Sequence, residues 1–230
     1  RARRQRDRLR RLVHDSGAII VVGQSVEEPI DVAEARWIDS DSYLGVAPSD
    51  AGIELQPSDR TAVLQYTSGS TAAPKGVVLS HGSLGHNIRQ IVEAYHLDAG
   101  SRAVIWLPTH HDMGLIGGLL TPLSAGFPVT LLETRYFARK PVAWLEAMSR
   151  ERATVSGGPN GGYELVAREL ERMSPDGHLD LSEWRTAFVG AEPIHPDTIR
   201  RFCRAAAPFG FSPEAIHPCY GLAEATLMVT

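Results

Sequence analysis

The chain has 230 residues, of which 43% are hydrophobic and 22% charged, a composition typical of globular proteins and not of disordered ones. Its net charge of −4 gives no general attraction for nucleic acid, and its two cysteines provide neither a disulfide framework nor a spaced set of metal ligands. No apolar run approaches the ~18 residues of a membrane span, so we expect a cytoplasmic protein without a transmembrane segment.

The first predicted element is an Arg-rich helix at residues 1–11. This basic cluster is followed by and interleaved with Leu9, Leu12 and Val13, and an apolar stripe of this kind indicates a solvated helix rather than a targeting or polyanion-binding arm. Residues 24–60 are rich in Asp, Glu, Ser and Pro, which predicts a long surface connection with one strand around Trp37. We expect residues 1–60 to be a peripheral part of the same domain as the rest of the chain.

Apolar runs then alternate with helical patterns. Short buried strands are predicted at residues 18–22, 62–66, 103–107, 129–132, 153–156 and 186–189. Helices are predicted at residues 83–95, 113–123, 141–150, 162–173 and 196–206. The alternation predicts an α/β fold of largely parallel sheets flanked by helices, with ligand sites at the carboxyl ends of the strands.

A loop of hydroxyls, glycines and one lysine follows the second of these strands. Its backbone N–H groups, its hydroxyls and the Lys75 ammonium can converge on the phosphates of a nucleotide. A P-loop needs its lysine after the second glycine and before a helix, whereas Lys75 here precedes Gly76 and an apolar run, so a P-loop NTPase is disfavoured. Two readings stay open: a phosphate-binding loop between two strands, and a surface hairpin turn.

Residues 220–224, Tyr-Gly-Leu-Ala-Glu, hold an aromatic ring and a carboxylate four positions apart. A nucleotide base can stack on Tyr220, and Glu224 can bind Mg²⁺, which favours carboxylate oxygens and substrate phosphates. The alternative is a core tyrosine beside a capping glutamate. The turn at residues 190–193 follows a predicted strand, and its backbone can contact an adenine edge.

Two further features lie between residues 110 and 118. His110 and His111 are adjacent, so on an extended segment they point to opposite faces and are not expected to share a metal ion. His111 is the better candidate to face a substrate carboxylate. Gly117 and Gly118 lie in an apolar helix, where they favour either a channel for an acyl chain or close helix packing.

Taken in order, these motifs resemble those of the adenylate-forming enzyme superfamily. The loop at residues 66–76 resembles its phosphate-contacting motif, and residues 220–224 resemble its adenine and magnesium motif. Within the superfamily the chain looks most like the fatty acyl-AMP ligases, on the evidence of residues 106–108, 111–118, 156–160, 190–193 and 218–227. The resemblance implies that residues 61–230 are an AMP-binding core, a part of the large N-terminal domain of such an enzyme.

The resemblance also implies an activity. ATP and a fatty acid would give an acyl-adenylate and pyrophosphate, with Mg²⁺ as cofactor, and the acyl group would pass to an acyl carrier protein or a fused polyketide or nonribosomal peptide synthase module. An acyl-CoA synthetase or a nonribosomal peptide adenylation domain is the first alternative. A non-catalytic adenylation-like interaction module is the second.

Each implied role has candidate residues. The catalytic candidates are His111, Lys75 and Glu224. The ATP- or AMP-binding candidates are Thr67, Ser68, Gly69, Ser70, Thr71, Lys75, Gly76, Gly190, Ala191, Glu192, Tyr220, Gly221, Leu222, Ala223 and Glu224. The acyl-pocket candidates are Met113, Gly117, Gly118, Ser156, Gly157, Gly158, Pro159 and Asn160. The Mg²⁺ candidates are Glu224 and Thr67.

The sequence departs from the family pattern at three places. Ala72 replaces a usual glycine in the phosphate loop, His110 replaces a common aromatic residue, and Gly161 and Gly162 replace a bulkier pair that would narrow the acyl tunnel. The chain opens on Arg1 and stops inside an apolar run, so we expect it to be a piece of a longer protein. The resemblance puts a hinge and a catalytic lysine after residue 230, and we expect residues 1–230 alone to lack useful activity.

Overall fold

A computed structural model describes residues 2–23, 35–43, 55–67, 75–175 and 177–230 of the protein. The helices are α1 (Ala2–Ser16), α2 (His81–Ala94), a π-helix (Met113–Leu120) continuing into α3 (Thr121–Ala125), α4 (Thr134–Arg139), α5 (Val142–Arg150), α6 (Asn160–Leu170) and α7 (Pro196–Ala206). The strands are β1 (Ile20–Gly23), β2 (Arg36–Asp39), β3 (Thr61–Thr67), β4 (Lys75–Ser80), β5 (Ala103–Ile105), β6 (Val129–Leu131), β7 (Val155–Gly158), β8 (Thr186–Val189) and β9 (Ile216–Pro218).

The central feature is a five-stranded parallel sheet with the order β6-β5-β7-β8-β9. The chain leaves β5 for β6 on one side, and then crosses to β7 on the other side of β5. A sheet whose strand order reverses in this way opens a crevice at the carboxyl ends of its strands. The α/β prediction with a parallel, helix-flanked sheet is therefore confirmed.

Helices α5, α6 and α7 cover this sheet with a core rich in aromatic rings. On α6 the buried positions recur every three or four residues, at Tyr163, Val166, Ala167 and Leu170, so one apolar stripe faces the sheet. Burial of a large apolar side chain such as Val166 or Leu170 contributes roughly 1.5–3 kcal/mol to the stability of the fold. The buried Tyr163 hydroxyl is satisfied, because it donates to the carbonyl of Phe188 at 2.9 Å.

A second, smaller core lies under α2 and the β3–β4 hairpin. Strand β3 pairs antiparallel with β4, so Thr67 lies opposite Lys75 at the end of the hairpin where the two strands are connected. Helix α2 follows β4 directly, and a capping box formed by Ser80 and Ser83 starts it. The buried residues of this core are Leu79, Ile88, Ile91, Ile116 and Leu227.

Helix α1 contacts the hairpin through a hydrogen bond. The Tyr66 hydroxyl donates to the Asp15 carboxylate of α1 at 2.6 Å, and this hydrogen bond raises the pKa of Tyr66. Strands β1 and β2 pair parallel in a separate two-stranded sheet, which confirms the strand expected around Trp37. Within the described ranges, no helix combines the length and apolarity needed to cross a bilayer.

Some predicted elements differ from the structure in type or extent. The helix predicted at residues 113–123 opens as a π-helix, in which the Thr121 N–H and hydroxyl both reach the carbonyl of Ile116. The strand predicted at residues 153–156 extends to Gly158, and the next helix begins at Asn160 instead of residue 162. Strand β9 and helix α4 were not predicted.

Candidate active site

Three of the segments singled out in the sequence meet at the carboxyl edge of the parallel sheet. The first follows β5 and leads into the π-helix, the second is the turn after β8, and the third begins after β9. Parallel strands bring their carboxyl ends to the same edge, so residues far apart in sequence become neighbours there.

A cavity of about 70 Å³ lies between these segments and α2. Its wall includes Met113 and Gly117, which were predicted for an acyl chain, together with Ala191, Tyr220 and Gly221, which were predicted for a nucleotide. Most of the remaining wall is apolar and comes from residues that were not site candidates in the sequence: Ile91, Tyr95, Leu97, Val155, Phe188, Cys219, Leu227 and Met228. The two kinds of predicted site are thus continuous in the structure.

Residues 220–230 form a hairpin at one side of the cavity. Four backbone hydrogen bonds join its two sides: Tyr220 N to Thr230 O at 2.8 Å, Leu222 N to Leu227 O at 2.9 Å, Val229 N to Tyr220 O at 2.9 Å, and Thr230 N to Tyr220 O at 3.2 Å. The Tyr220 ring is 61% exposed and open to a stacking partner.

The tip of this hairpin is a 3₁₀ turn, Ala223–Ala225, which carries Glu224. Leu222 precedes this turn and Ala223 begins it, and the Ala223 side chain is buried. Glu224 is exposed, and the described residues give its carboxylate neither a hydrogen bond nor an ion pair. A solvent-facing carboxylate of this kind fits a hard cation that arrives with a polyphosphate.

The two adjacent glycines of the π-helix face different neighbours. A Cβ added to Gly117 would approach the Leu227 side chain to 3.2 Å, on the cavity wall. A Cβ added to Gly118 would lie 2.7 Å from Cγ2 of Ile105, in the sheet core. Gly117 thus borders a cavity, whereas Gly118 permits close packing of the π-helix against β5.

The turn after β8 is attached to the start of α6 by two hydrogen bonds. Oε1 of Glu192 accepts from the backbone N of Gly161 at 2.6 Å, and Oδ1 of Asn160 accepts from the backbone N of His195 at 3.0 Å. Ala191 has φ = 66°, in the left-handed region. In this structure the side chains of Glu192 and Asn160 hold the turn instead of pointing to the cavity.

Replacing Glu192 with alanine should therefore destabilise the turn and the first turn of α6. The expected loss is about 1 kcal/mol, the usual cost of removing a carboxylate that caps a helix. Glu192→Gln keeps the accepting oxygen and should retain most of that stability. Thermal unfolding of both variants measures the difference, and equal midpoints for Glu192→Ala and the wild type would contradict this role.

Residues 156–159 do not line the cavity. The Ser156 hydroxyl donates to the carbonyl of Val104 and accepts from Nε1 of Trp144, and Ser156 is fully buried. Gly157 lies against Phe188, and Gly158 lies against the Trp106 ring. The reason is that β7 extends to Gly158, which puts these residues inside the sheet core; Pro159 follows as the residue before α6.

Gly161 and Gly162 lie at the start of α6, and Gly162 also packs against the sheet core. A Cβ on Gly162 would lie 2.7 Å from the Trp106 ring, so the indole fills the space that a bulkier residue would take. This position consequently does not widen the cavity.

The histidine pair lies at the entrance of the π-helix, and both side chains are exposed. The two ring centroids are 4.5 Å apart, and partial desolvation together with the nearby His111 and Arg8 lowers the pKa of His110. The His111 carbonyl accepts from Leu115 N at 2.8 Å, so this residue starts the helix backbone. The described part of the chain contains no cluster of three or more potential metal ligands.

The phosphate-loop candidates are only partly described. Thr67 ends β3, Lys75 and Gly76 begin β4, and Lys75 is exposed. Ser68, Gly69, Ser70 and Thr71, like Ala72, lie outside the described residues. Because Lys75 begins a strand and not a helix, the P-loop reading is excluded.

Comparison with known proteins places the chain in a family. A family model described as AMP-binding enzyme matches residues 2–230, which is nearly the whole chain. The chain belongs to the AMP-binding enzyme family. The adenylate-forming resemblance stated from the sequence is thereby confirmed.

Relatives of this chain include fatty-acid ligases. The chain is 46% identical over 173 residues to the medium-chain-fatty-acid–[acyl-carrier-protein] ligase JamA of Moorena producens, covering 75% of this chain and 29% of that protein. It superimposes with a TM-score of 0.87 and 35% identity on a fatty acyl-adenylate ligase from a study of the E. coli and L. pneumophila enzymes, covering 97% and 42% of the two chains.

A third relative was solved with ligands. It is the L. pneumophila fatty acyl-adenylate ligase in complex with acyl adenylate and pyrophosphate, with a TM-score of 0.82, 37% identity, and coverage of 97% of this chain and 40% of that one. The chain thus spans less than half the length of each of these relatives.

Several residues at or beside the cavity were not site candidates in the sequence. Burial raises the pKa of the Tyr95 hydroxyl and of the Cys219 thiol, so both are neutral donors at the apolar wall. Asn87 is buried in α2 and hydrogen-bonds to Met228. The one available signal was a polar residue on the apolar face of α2, beside Ile88 and Ile91.

Proposed function

We propose that the full protein containing this chain activates a fatty acid with ATP, forming an acyl-adenylate and pyrophosphate, and then transfers the acyl group to an acyl carrier protein. One observation carries the proposal: the cavity wall joins Met113 and Gly117 to Ala191 and Tyr220. An apolar wall beside an exposed aromatic ring has the chemistry to contact a ligand with a hydrocarbon chain at one end and a nucleotide at the other. The names of the curated relatives support the same reaction.

In this reaction the carboxylate of the fatty acid attacks the α-phosphate, its oxygen forms the new P–O bond, and pyrophosphate leaves. The protein contributes by holding the reactants in line and by neutralising charge. Tyr220 would stack on adenine, with the backbone of Gly190 and Ala191 beside it. His111 would face the fatty-acid carboxylate at the entrance of the π-helix.

The polyphosphate would contact the loop between β3 and β4, with the Lys75 ammonium at its end. Glu224 and Thr67 would hold the Mg²⁺ that accompanies ATP, and that ion would neutralise phosphate charge. Ser68, Gly69, Ser70 and Thr71 complete the proposed loop.

The proposal includes the organisation and location of the protein. Residues 1–60 would belong to the same domain as residues 61–230, in line with the hydrogen bond between Tyr66 and Asp15. A cytoplasmic location would suit the unpaired thiols of Cys203 and Cys219.

The test is isotope exchange between pyrophosphate and ATP, measured with the full-length protein and fatty acids of increasing length. We expect exchange that requires a fatty acid and Mg²⁺, and acyl transfer to a phosphopantetheinylated carrier protein after the enzyme is loaded. Absence of fatty-acid-dependent exchange would refute adenylation. Exchange followed by acyl transfer only to coenzyme A would refute the carrier-protein acceptor.

Alanine at Gly117 should change the preferred fatty acid without unfolding the protein. The added methyl group would enter the cavity and meet the flexible end of Leu227. We expect kcat/KM for the longest accepted chain to fall about tenfold relative to shorter chains, as one methylene is worth in a hydrophobic pocket.

Gly118→Ala is the matched variant, because its methyl group would meet Ile105 in the core. Its expected effect is a loss of roughly 1–3 kcal/mol of stability from overpacking, with the chain-length profile unchanged. Competition between fatty acids and thermal unfolding separate the two effects. An unchanged profile in Gly117→Ala would contradict the role of the cavity.

A further inference from the structure

Asn87 is a polar side chain in an otherwise apolar part of α2. It is only 4% exposed, and its helical neighbours Ile88 and Ile91 are buried in the same core. Burying a carboxamide without partners is costly, so such a group is retained where its hydrogen bonds are made.

Both ends of this carboxamide pair with the backbone of one residue. Nδ2 of Asn87 donates to the carbonyl of Met228 at 2.8 Å, and the N–H of Met228 donates to Oδ1 of Asn87 at 3.0 Å, across 141 positions of sequence. Gln90 accepts the second Nδ2 hydrogen at 3.2 Å. The side chain thus binds Met228 as a neighbouring strand would.

Met228 lies on the returning strand of the hairpin that carries Tyr220 and Glu224. It pairs with Gly221 across the hairpin. A two-stranded hairpin is marginally stable without external contacts. The Asn87 pair supplies such a contact between this hairpin and α2, a helix that is itself packed in the smaller core.

We propose that Asn87 is a positioning residue for the nucleotide site: by binding Met228 it fixes the hairpin and so sets where Tyr220 and Glu224 meet ATP. The inference rests on the proposed adenylation function. Small displacements of a binding group have large kinetic consequences, since a shift of about 1 Å can cost about 10²-fold in rate.

The test uses the full-length protein and two variants. Asn87→Ala removes both hydrogen bonds and leaves room for water. Asn87→Asp keeps an acceptor for the Met228 N–H but turns an oxygen toward the Met228 carbonyl. Gln90→Ala is the matched control, because it removes only the exposed third partner. The measurements are KM and kcat in pyrophosphate exchange for ATP and for fatty acid, and the thermal midpoint.

We expect KM for ATP to rise and kcat to fall, together about 10²-fold in kcat/KM, while KM for fatty acid changes less than about twofold and Gln90→Ala behaves as wild type. A purely structural role would lower the thermal midpoint and the active fraction and leave both KM values alone. Unchanged KM for ATP in a folded variant, or unfolding of both variants, overturns the proposal. A wild type without exchange activity refutes the proposed function instead, and the inference falls with it.

Discussion

Glu224→Gln is expected to lower fatty-acid-dependent pyrophosphate exchange by about 10²–10³-fold, the usual loss when one charge-stabilising group leaves an active site. The amide keeps the size of the side chain but loses the negative charge that favours Mg²⁺. Because Glu224 is exposed at the hairpin tip and makes no described hydrogen bond or ion pair, its stability contribution should be small, within about 0.5 kcal/mol.

The concentration of Mg²⁺ that gives half-maximal exchange separates this mechanism from a general loss of activity. It should rise in Glu224→Gln and stay unchanged in Glu214→Gln, a control at an exposed carboxylate on the 3₁₀ turn before β9. Normal exchange and normal Mg²⁺ dependence in Glu224→Gln would contradict the assignment.

Gly221→Ala should abolish most of the activity through the backbone of the same hairpin. A Cβ at this position would overlap the carbonyl oxygen of Leu227, which is fixed by its hydrogen bond from the Leu222 N–H. Backbone cannot rotate away as a side chain can, so the hairpin must open. We expect a stability loss of roughly 1–3 kcal/mol and a fall in kcat/KM of about 10²-fold.

Gly85→Ala is the control, because helix α2 has room at this position and the nearest atom is Nη1 of Arg89 at 3.7 Å. That substitution should raise stability by up to about 1 kcal/mol, the difference in helix propensity between the two residues. Exchange kinetics and thermal unfolding of both variants are the measurements. Wild-type kinetics in Gly221→Ala would show that the closed hairpin is not needed.

The elements that the sequence predicted well have a strong local signal. Strand β8 is a continuous apolar run and was predicted with its observed bounds, and α7 begins with a proline at its first position and was also predicted in full. Strand β9 has only three residues, one of them a proline, and takes its strand conformation from pairing with β8. Its pairing partner is distant in sequence, so no local pattern indicates it.

The residues of the candidate site also differ in how much local sequence signal they carry. The turn at residues 190–193 follows the predicted strand β8, so the rule that ligands bind at strand ends placed it at the carboxyl edge of the sheet. The motif at residues 220–224 follows β9, which was not predicted, so that rule did not place it at the same edge. Ser156 and Gly157 were expected at the acyl pocket because of the resemblance to the fatty acyl-AMP ligases, whereas β7 holds them buried in the sheet core. Asn87 was missed because its importance comes from Met228, a contact that only the tertiary structure creates.

The most direct test of the proposed ligand positions is a crystal structure of the full-length protein with a non-hydrolysable acyl-adenylate analogue. We predict adenine density against the Tyr220 ring beside Gly190 and Ala191, and acyl density in the cavity between Met113 and Leu227. Adenylate density away from the carboxyl edge of the sheet, or an empty cavity beside a bound nucleotide, would contradict the account.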